Sequence, residues 1–152
     1  MKKALKIVFL GSFLAISAPL TSTTNIGHTD NRSETEEAIL AFDWNPVIDA
    51  IIQVESGGDT TAVSGTACGA MQITPILVKE CNLILESRNS DKRFTLSDRY
   101  SLEKSKEMFL LVQSEFNPSN SIEKAIRRWN GGPSYGKKST QRYYNKVMAQ
   151  LK

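Results

Sequence analysis

A glutamate at the end of an apolar helical segment is the residue best suited to chemistry in this chain. Glu55 follows Ile48, Ile51 and Ile52 at helical spacing, so in a helix its carboxyl group lies on the isoleucine stripe. Burial against apolar side chains disfavours the charged form of a carboxyl group and raises its pKa. A carboxylic acid that keeps its proton near neutral pH can protonate a leaving oxygen, as a glycosidase requires. On Glu55 alone, a helix-terminal glutamate that turns to water is the alternative.

The histidine content restricts the alternatives to carboxylate chemistry. His28 is the only histidine of the 152 residues, and it lies in a polar segment ahead of the clear helical patterns. Hydrolases with a Ser-His-Asp triad, Cys-His amidases and zinc peptidases all need histidine in the folded core. The sequence therefore excludes these classes and leaves acid–base catalysis by carboxyl groups.

Two cysteines raise the question of a disulfide. Cys68 and Cys81 are close in the chain, and in an oxidising compartment a bond between them would contribute about 3 kcal/mol in the chain-entropy model. Two free thiols are the alternative, because spacing alone does not provide the geometry that a disulfide needs. Two cysteines without a nearby histidine make only half of a zinc site, so we expect no metal.

The N-terminal residues have the composition of a secretory signal peptide. Lysines precede an apolar run over 7–18, which is short for a membrane span of about 20 residues, although an uncleaved anchor is the alternative. We assign 1–20 to the signal peptide and the polar residues 21–37 to a linker. Export across the inner membrane would place the mature protein in the periplasm or cell envelope.

Removal of the signal peptide changes the charge of the chain. The segment 1–18 carries three lysines and no acidic residue, so Lys+Arg falls from 19 to 16 and equals Asp+Glu. A mature chain near neutrality lacks the basic excess that attracts phosphates. We therefore expect no nucleic-acid partner.

The remaining residues predict a mainly α fold with little or no β-sheet. A capping residue followed by proline opens helices at Asn45-Pro46 and Thr74-Pro75. Residues 59–73 are rich in Gly, Ser and Thr, which predicts a loop or a small irregular sheet. Further helices are expected over 101–116, from Ser121 to the break at Asn130-Gly131-Gly132-Pro133, and along Tyr144, Val147, Met148 and Leu151.

Four short segments follow one another in a specific order. They are Glu55-Ser56-Gly57-Gly58, Gly69-Ala70-Met71-Gln72-Ile73-Thr74-Pro75, Trp129-Asn130-Gly131-Gly132-Pro133 and Thr140-Gln141-Arg142-Tyr143-Tyr144-Asn145-Lys146-Val147. Together they resemble the catalytic domain of the soluble lytic transglycosylase family, over about residues 44–151. One such segment is weak evidence, whereas four in order are specific. The resemblance implies a lysozyme-like domain over 38–152, with helices around a glycan-binding cleft.

The resemblance also implies roles for individual side chains. Glu55 matches the catalytic acid, and Ser56 matches the adjacent serine that orients substrate. Tyr143 matches the tyrosine that faces the acid, with Tyr144 as a one-residue alternative. Arg128-Trp129 and Gly69-Ala70 stand where the family has Ala-Tyr and often has Gly-Leu. The other substrate-binding residues are Met71, Gln72, Trp129 and Asn130, and the structural turns are at Gly57, Gly69, Gly131 and Gly132.

Four of these residues have a purely structural role as an open alternative. Gln72 can satisfy backbone groups in a buried loop, and Trp129 can belong to the core. Asn130 can end its helix, since asparagine tolerates the left-handed conformation. Tyr143 can pack and form a hydrogen bond without contacting substrate.

The resemblance implies a secreted lytic transglycosylase that needs no cofactor. Glu55 would act as acid and then as base on the β-1,4 bond between MurNAc and GlcNAc, leaving a 1,6-anhydro-muramic acid end. A lysozyme-type muramidase, in which Asp59 positions water, and a non-catalytic glycan-binding or assembly module are the alternatives. The expected partners are peptidoglycan glycan strands, with a conjugation, secretion or phage-type machine as a further candidate, and we expect a monomer.

Overall fold

The computed structural model describes residues 42–151. The predicted signal peptide over 1–20, the predicted linker over 21–37 and the first residues of the predicted domain lie outside this range. The described part is mainly helical with one two-stranded sheet, which confirms the fold class. In chain order its elements are α1 (Asn45–Glu55), β1 (Val63–Ser64), β2 (Ala67–Cys68), α2 (Pro75–Ser87), a 3₁₀ helix (Leu96–Tyr100), α3 (Leu102–Phe116), α4 (Ile122–Gly131) and α5 (Lys137–Met148).

Serine or threonine side chains cap the starts of α2, α3 and α4. Thr74 Oγ1 accepts a hydrogen bond from the backbone N–H of Leu77 at 3.3 Å, and Ser121 Oγ accepts one from Lys124 at 3.2 Å. Ser101 caps α3 in the same way. Each cap satisfies one of the backbone donors that a helix start leaves without an intrahelical partner. The helix starts predicted at Thr74 and Ser121 are confirmed.

Helix α1 begins one residue earlier than predicted. Trp44 is its N-cap, and Asn45 is the first helical residue, whose backbone N–H and side-chain Nδ2 both donate to Asp43 Oδ1. The helix ends at Glu55, and Gly57 then takes a φ of +66°, which glycine adopts without steric cost. The acid thus stands at a defined helix end.

The segment between α1 and α2 is the small irregular sheet that the composition allowed. Strands β1 and β2 pair antiparallel, with Val63 opposite Cys68 and Ser64 opposite Ala67. An isolated antiparallel bridge between Cys68 and Ile73 folds the following residues back onto β2. The loop 69–72 between these two pairings carries several of the predicted site residues.

A row of aromatic rings runs through the core. Trp44 packs edge-on against Phe109 with ring centroids 5.6 Å apart, and Phe109 packs against Trp129 at 5.3 Å. Rings of this size bury large apolar areas and fix the spacing between the elements that carry them. The largest aliphatic side chains buried around them are Ile48, Ile51, Met71, Ile73, Met108 and Ile126.

Helices α4 and α5 make the most extensive helix–helix contact of the described part. Asn130 and Gly131 belong to the last turn of α4, and Gly132, with a φ of +68°, ends the helix. A Cβ atom at Gly131 would lie 2.6 Å from Tyr135 Cβ and 2.8 Å from Thr140 Cγ2. Glycine at 131 therefore lets the two helices approach closely.

The helices are short and each buries one side. The longest helix within residues 42–151, α3, has 15 residues, and its buried side is formed by Ser105, Met108, Phe109, Val112 and Gln113. Among residues 42–151, no helix has both the length and the apolar character needed to cross a membrane.

Candidate active site

Glu55 and Tyr143 meet although 88 residues separate them in the chain. The Tyr143 hydroxyl donates a hydrogen bond to Glu55 Oε1 at 2.7 Å. Glu55 is the last residue of α1, and Tyr143 lies on α5, which packs against α1 and buries Val147. Tyr143, and not the adjacent Tyr144, is therefore the tyrosine that faces the predicted acid.

Burial changes the ionisation of both partners. It raises the pKa of Glu55 above its ordinary value, and the hydrogen bond from Tyr143 offsets part of this rise by stabilising the carboxylate. Burial and the neighbouring carboxylate also raise the pKa of Tyr143, so its hydroxyl stays protonated. Ile48, Ile51 and Ile52 are all buried, as the stripe predicts.

This arrangement suits a single carboxyl group that acts first as acid and then as base. The raised pKa brings the protonated form of Glu55 closer to neutral pH, where a general acid is most effective. Tyr143 occupies Oε1, which leaves Oε2 to exchange a proton with a bound molecule. Once Glu55 has lost its proton, the hydroxyl stabilises the resulting charge through a charge-assisted hydrogen bond.

Replacing Tyr143 with phenylalanine is expected to raise the pKa of Glu55 further. The change removes the donor that stabilises the carboxylate and leaves the burial in place. A carbon NMR titration of the Glu55 carboxyl group measures the shift, with Tyr144→Phe as the matched control. An unchanged pKa in Tyr143→Phe would show that this hydrogen bond does not form in solution.

Ser56 joins the end of α1 to the loop 69–72. Its Oγ donates to the carbonyl oxygen of Ala70 at 2.9 Å and accepts from the backbone N–H of Gly58 at 3.1 Å. The hydroxyl thereby fixes the turn that follows Glu55. Orientation of substrate by Ser56 stays a prediction.

Gln72 adopts a φ of +50°, a conformation that is uncommon for a residue other than glycine. Its Nε2 donates to the carbonyl oxygens of Gly69 at 2.9 Å and Ala62 at 3.3 Å. The side chain therefore closes the loop in the way that the structural alternative describes. Strained backbone of this kind is concentrated at functional sites, and contact between Gln72 and a glycan stays a prediction.

Met71 does not lie on a cleft surface, in contrast to the prediction. The residue is 0% exposed and belongs to the hydrophobic core with Ile51 and Met108. A flexible thioether fills irregular gaps between core side chains well. Met71 therefore packs the loop that carries Gln72 against the hydrophobic core.

Gly69 is the point where this loop contacts the 3₁₀ helix. Its φ is +78°, and a Cβ atom there would lie 1.8 Å from the carbonyl oxygen of Arg99. The Arg99 side chain reaches back across the sheet, since Nη1 donates to Thr66 O at 3.0 Å and Ile73 O at 3.4 Å. Sequence reasoning missed Arg99, because an arginine in a polar stretch has no pattern that indicates its partners.

Trp129 and Asn130 line a cavity of about 180 Å³ between the start of α2 and the end of α4. Trp129 is half-buried and belongs partly to the core through Phe109, while Asn130 is exposed in the last turn of α4. Gly132, and not Asn130, is the C-cap of that helix. Neither Glu55 nor Tyr143 lines this cavity, and contact of Trp129 and Asn130 with a glycan bound at Glu55 stays a prediction.

The disulfide that the sequence allowed is not formed in the structure. Cys68 and Cys81 are both free and buried, on β2 and α2. Burial raises the pKa of Cys81 to about 12, so this thiol is unreactive near neutral pH. Within residues 42–151, no group of three or more His, Cys, Asp or Glu side chains could hold a metal ion.

Comparisons with known proteins relate most of this chain to one family model. Residues 36–149 match the model described as "Transglycosylase SLT domain". No curated protein and no solved structure matches the chain. The matched range includes every residue assigned above to the candidate site.

Proposed function

Because this chain belongs to the transglycosylase SLT-domain family, the lytic transglycosylase catalytic domains, we propose that it cleaves the MurNAc–GlcNAc β-1,4 bond of peptidoglycan. Membership of the family indicates lytic transglycosylase-type activity on peptidoglycan in general. The finer proposal names Glu55 as the catalytic residue and a 1,6-anhydro-muramic acid end as the product. The observation that carries it is the half-buried Glu55 carboxyl group held by the Tyr143 hydroxyl.

In the first step, protonated Glu55 donates its proton to the bridging oxygen. The bond from this oxygen to the anomeric carbon of muramic acid breaks, and positive charge develops on the sugar ring. The burial that raises the pKa of Glu55 supports this step, because it keeps the proton available closer to neutral pH. The new carboxylate then accepts the hydrogen bond from Tyr143.

In the second step, Glu55 acts as the base. The 2-acetamido group of the substrate stabilises the anomeric carbon, and the muramic 6-hydroxyl attacks it while Glu55 takes the hydroxyl proton. One oxygen–carbon bond forms for the one that broke, and Glu55 regains its proton. Water is not consumed, so a single carboxyl group suffices.

A hydrolytic outcome would require a second group to position water, and Asp59 is the candidate for it. The Asp59 carboxylate already accepts hydrogen bonds from the backbone and side chain of Thr61 at 2.8 and 2.7 Å, and the residue is exposed. Asp59 is not among the causes of the pKa shift of Glu55. These contacts support the anhydro product over the hydrolytic one.

Mass spectrometry of digested muropeptides is expected to find anhydro ends. The purified protein is incubated with peptidoglycan sacculi, and a digest by a hydrolytic muramidase serves as the control. Anhydro ends are one water lighter than the reducing ends that hydrolysis leaves. Fragments that all carry the heavier, hydrated end would contradict the transglycosylase proposal and favour the muramidase.

Export is the second part of the proposal. Peptidoglycan lies outside the inner membrane, and the lysine-led apolar run of 1–20 supports delivery there. Fusion of these residues to an alkaline phosphatase that folds only after export tests this. Phosphatase activity from the fusion, and its absence when the lysines and the apolar run are deleted, is the expected result.

A further inference from the structure

Arg127 is a charged residue in the interior, and it joins α4 to α5. The residue is 3% exposed. Its Nε donates to Glu123 Oε1 at 2.8 Å on its own helix, and all its other polar contacts are on α5. Nη1 donates to the carbonyl oxygen of Lys137 at 2.9 Å and to Thr140 Oγ1 at 3.0 Å, and Nη2 donates to Gln141 Oε1 at 2.9 Å.

The same guanidinium group also contacts an aromatic ring of α5. Its Cζ atom lies 4.4 Å from the ring centroid of Tyr144, a distance at which a cation is attracted to the ring face. Thr140 and Tyr144, at offsets of three residues and one from Tyr143, both lie on the same side of it around the helix axis. Arg127 therefore holds the face of α5 next to the one that carries the tyrosine bonded to Glu55.

Joining two helices through a buried arginine carries an unfavourable desolvation free energy, because its charge is removed from water. Well-packed apolar side chains usually stabilise a fold as well or better. What the guanidinium adds is direction, because its planar fork donates hydrogen bonds only at fixed angles. Four directed bonds to two helices determine how α5 is placed along and around its axis.

We propose that Arg127 is a positioning residue, which fixes α5 against α4 and thereby holds the Tyr143 hydroxyl on Glu55. The inference rests on the proposed function only in so far as Glu55 is the acid. Arg127 acts through the placement of Tyr143 and not through its own charge, because it is not among the causes of the pKa shift of Glu55. The charged and titratable groups around Arg127 are Glu123 on α4 and Lys137 and Tyr144 on α5.

The experiment replaces Arg127 with methionine and with lysine in the full chain. Carbon NMR titration of Glu55 is the first measurement, and the pH profile of sacculus cleavage is the second. In Arg127→Met the pKa of Glu55 should rise in the same direction as in Tyr143→Phe, and the limb on which activity falls with rising pH should move to higher pH. We expect kcat to fall by about tenfold or more with KM nearly unchanged, and Arg127→Lys to restore part of the loss.

The double variant Arg127→Met/Tyr143→Phe separates positioning from general stability. If Arg127 acts through Tyr143, the pKa of Glu55 and kcat in the double variant should equal those of Tyr143→Phe alone. Arg88→Met is the matched control, because Arg88 is a mostly buried arginine that bonds Glu115 and Ser114 and joins α2 to α3. It should lower stability without moving the pKa of Glu55.

Two results would overturn the proposal: a folded Arg127→Met whose Glu55 pKa equals that of wild type, or additive losses in the double variant. If Arg127→Met does not fold, Gln141→Ala removes one exposed partner of the guanidinium and should shift the pKa of Glu55 in the same direction. No shift in that variant would also overturn it. If the pKa of Glu55 shifts in these variants but the wild-type protein does not cleave sacculi, the proposed function is refuted and the positioning role is supported.

Discussion

Replacing Glu55 with glutamine is expected to lower the rate of peptidoglycan cleavage by about a thousandfold or more. The amide has nearly the same shape but can neither donate an acidic proton nor accept one, and general acid–base catalysis contributes roughly a hundredfold to ten-thousandfold. The amide oxygen can still accept the hydrogen bond from Tyr143, so the fold should be retained. A zymogram containing peptidoglycan gives the first measurement, and release of soluble muropeptides gives the rate.

Asp59→Asn is the matched control for this substitution. It also replaces a carboxylate by an amide in the same turn region, but at an exposed position bonded to Thr61. Activity close to wild type in this variant is expected of a transglycosylase, whereas a large loss would favour a muramidase that uses Asp59. If Glu55→Gln clears the gel as wild type does, Glu55 is not the acid. If wild type binds sacculi and clears nothing, the binding module is the better description.

Replacing Gly69 with alanine is expected to destabilise the domain by about 3 kcal/mol. The new methyl group would lie 1.8 Å from the carbonyl oxygen of Arg99, so the 3₁₀ helix and the loop must separate. The φ of +78° adds strain for any residue with a Cβ atom. Thermal unfolding followed by circular dichroism should show a Tm lower by roughly 10 °C.

Gly65→Ala is the control that isolates the contact from the backbone strain. Gly65 also has a positive φ, of +60°, but a Cβ atom there has no heavy atom within 4 Å. Its cost should be about 1 kcal/mol, which is the strain alone. Equal losses in the two variants would mean that the contact between Gly69 and Arg99 contributes nothing to stability. Gly69→Ala should also lose cleavage activity, because the loop it distorts carries Gln72 and the acceptor of Ser56.

The sequence predicts the features of this fold that depend on neighbouring residues. Thr74 and Ser121 cap helices through bonds to residues three positions away, and the isoleucine stripe beside Glu55 depends on helical spacing alone. The 3₁₀ helix over 96–100 was not predicted, because it follows a polar stretch without apolar periodicity. Its place is set instead by the distant contacts of Arg99 with Thr66, Ile73 and Gly69.

The candidate site depends on contacts between residues that are far apart in the chain. The sequence carries little information about such contacts. The resemblance paired Tyr143 with Glu55, whereas nothing in the local pattern of either segment indicates the other. It also placed Met71 in the cleft, whereas the structure buries this side chain in the core. Arg127 has no local signature either, because its helix predicts a surface charge and only the packing of α5 encloses it.

The first and last helices of the described domain each contribute one half of the hydrogen-bonded pair. A chain that leaves the ribosome from its N-terminus presents Glu55 long before Tyr143 has emerged. During that interval the carboxyl group lacks its partner, and the surface on which α5 packs is still open. The hydrogen-bonded pair on which the proposed chemistry depends therefore assembles only after α5 has been made.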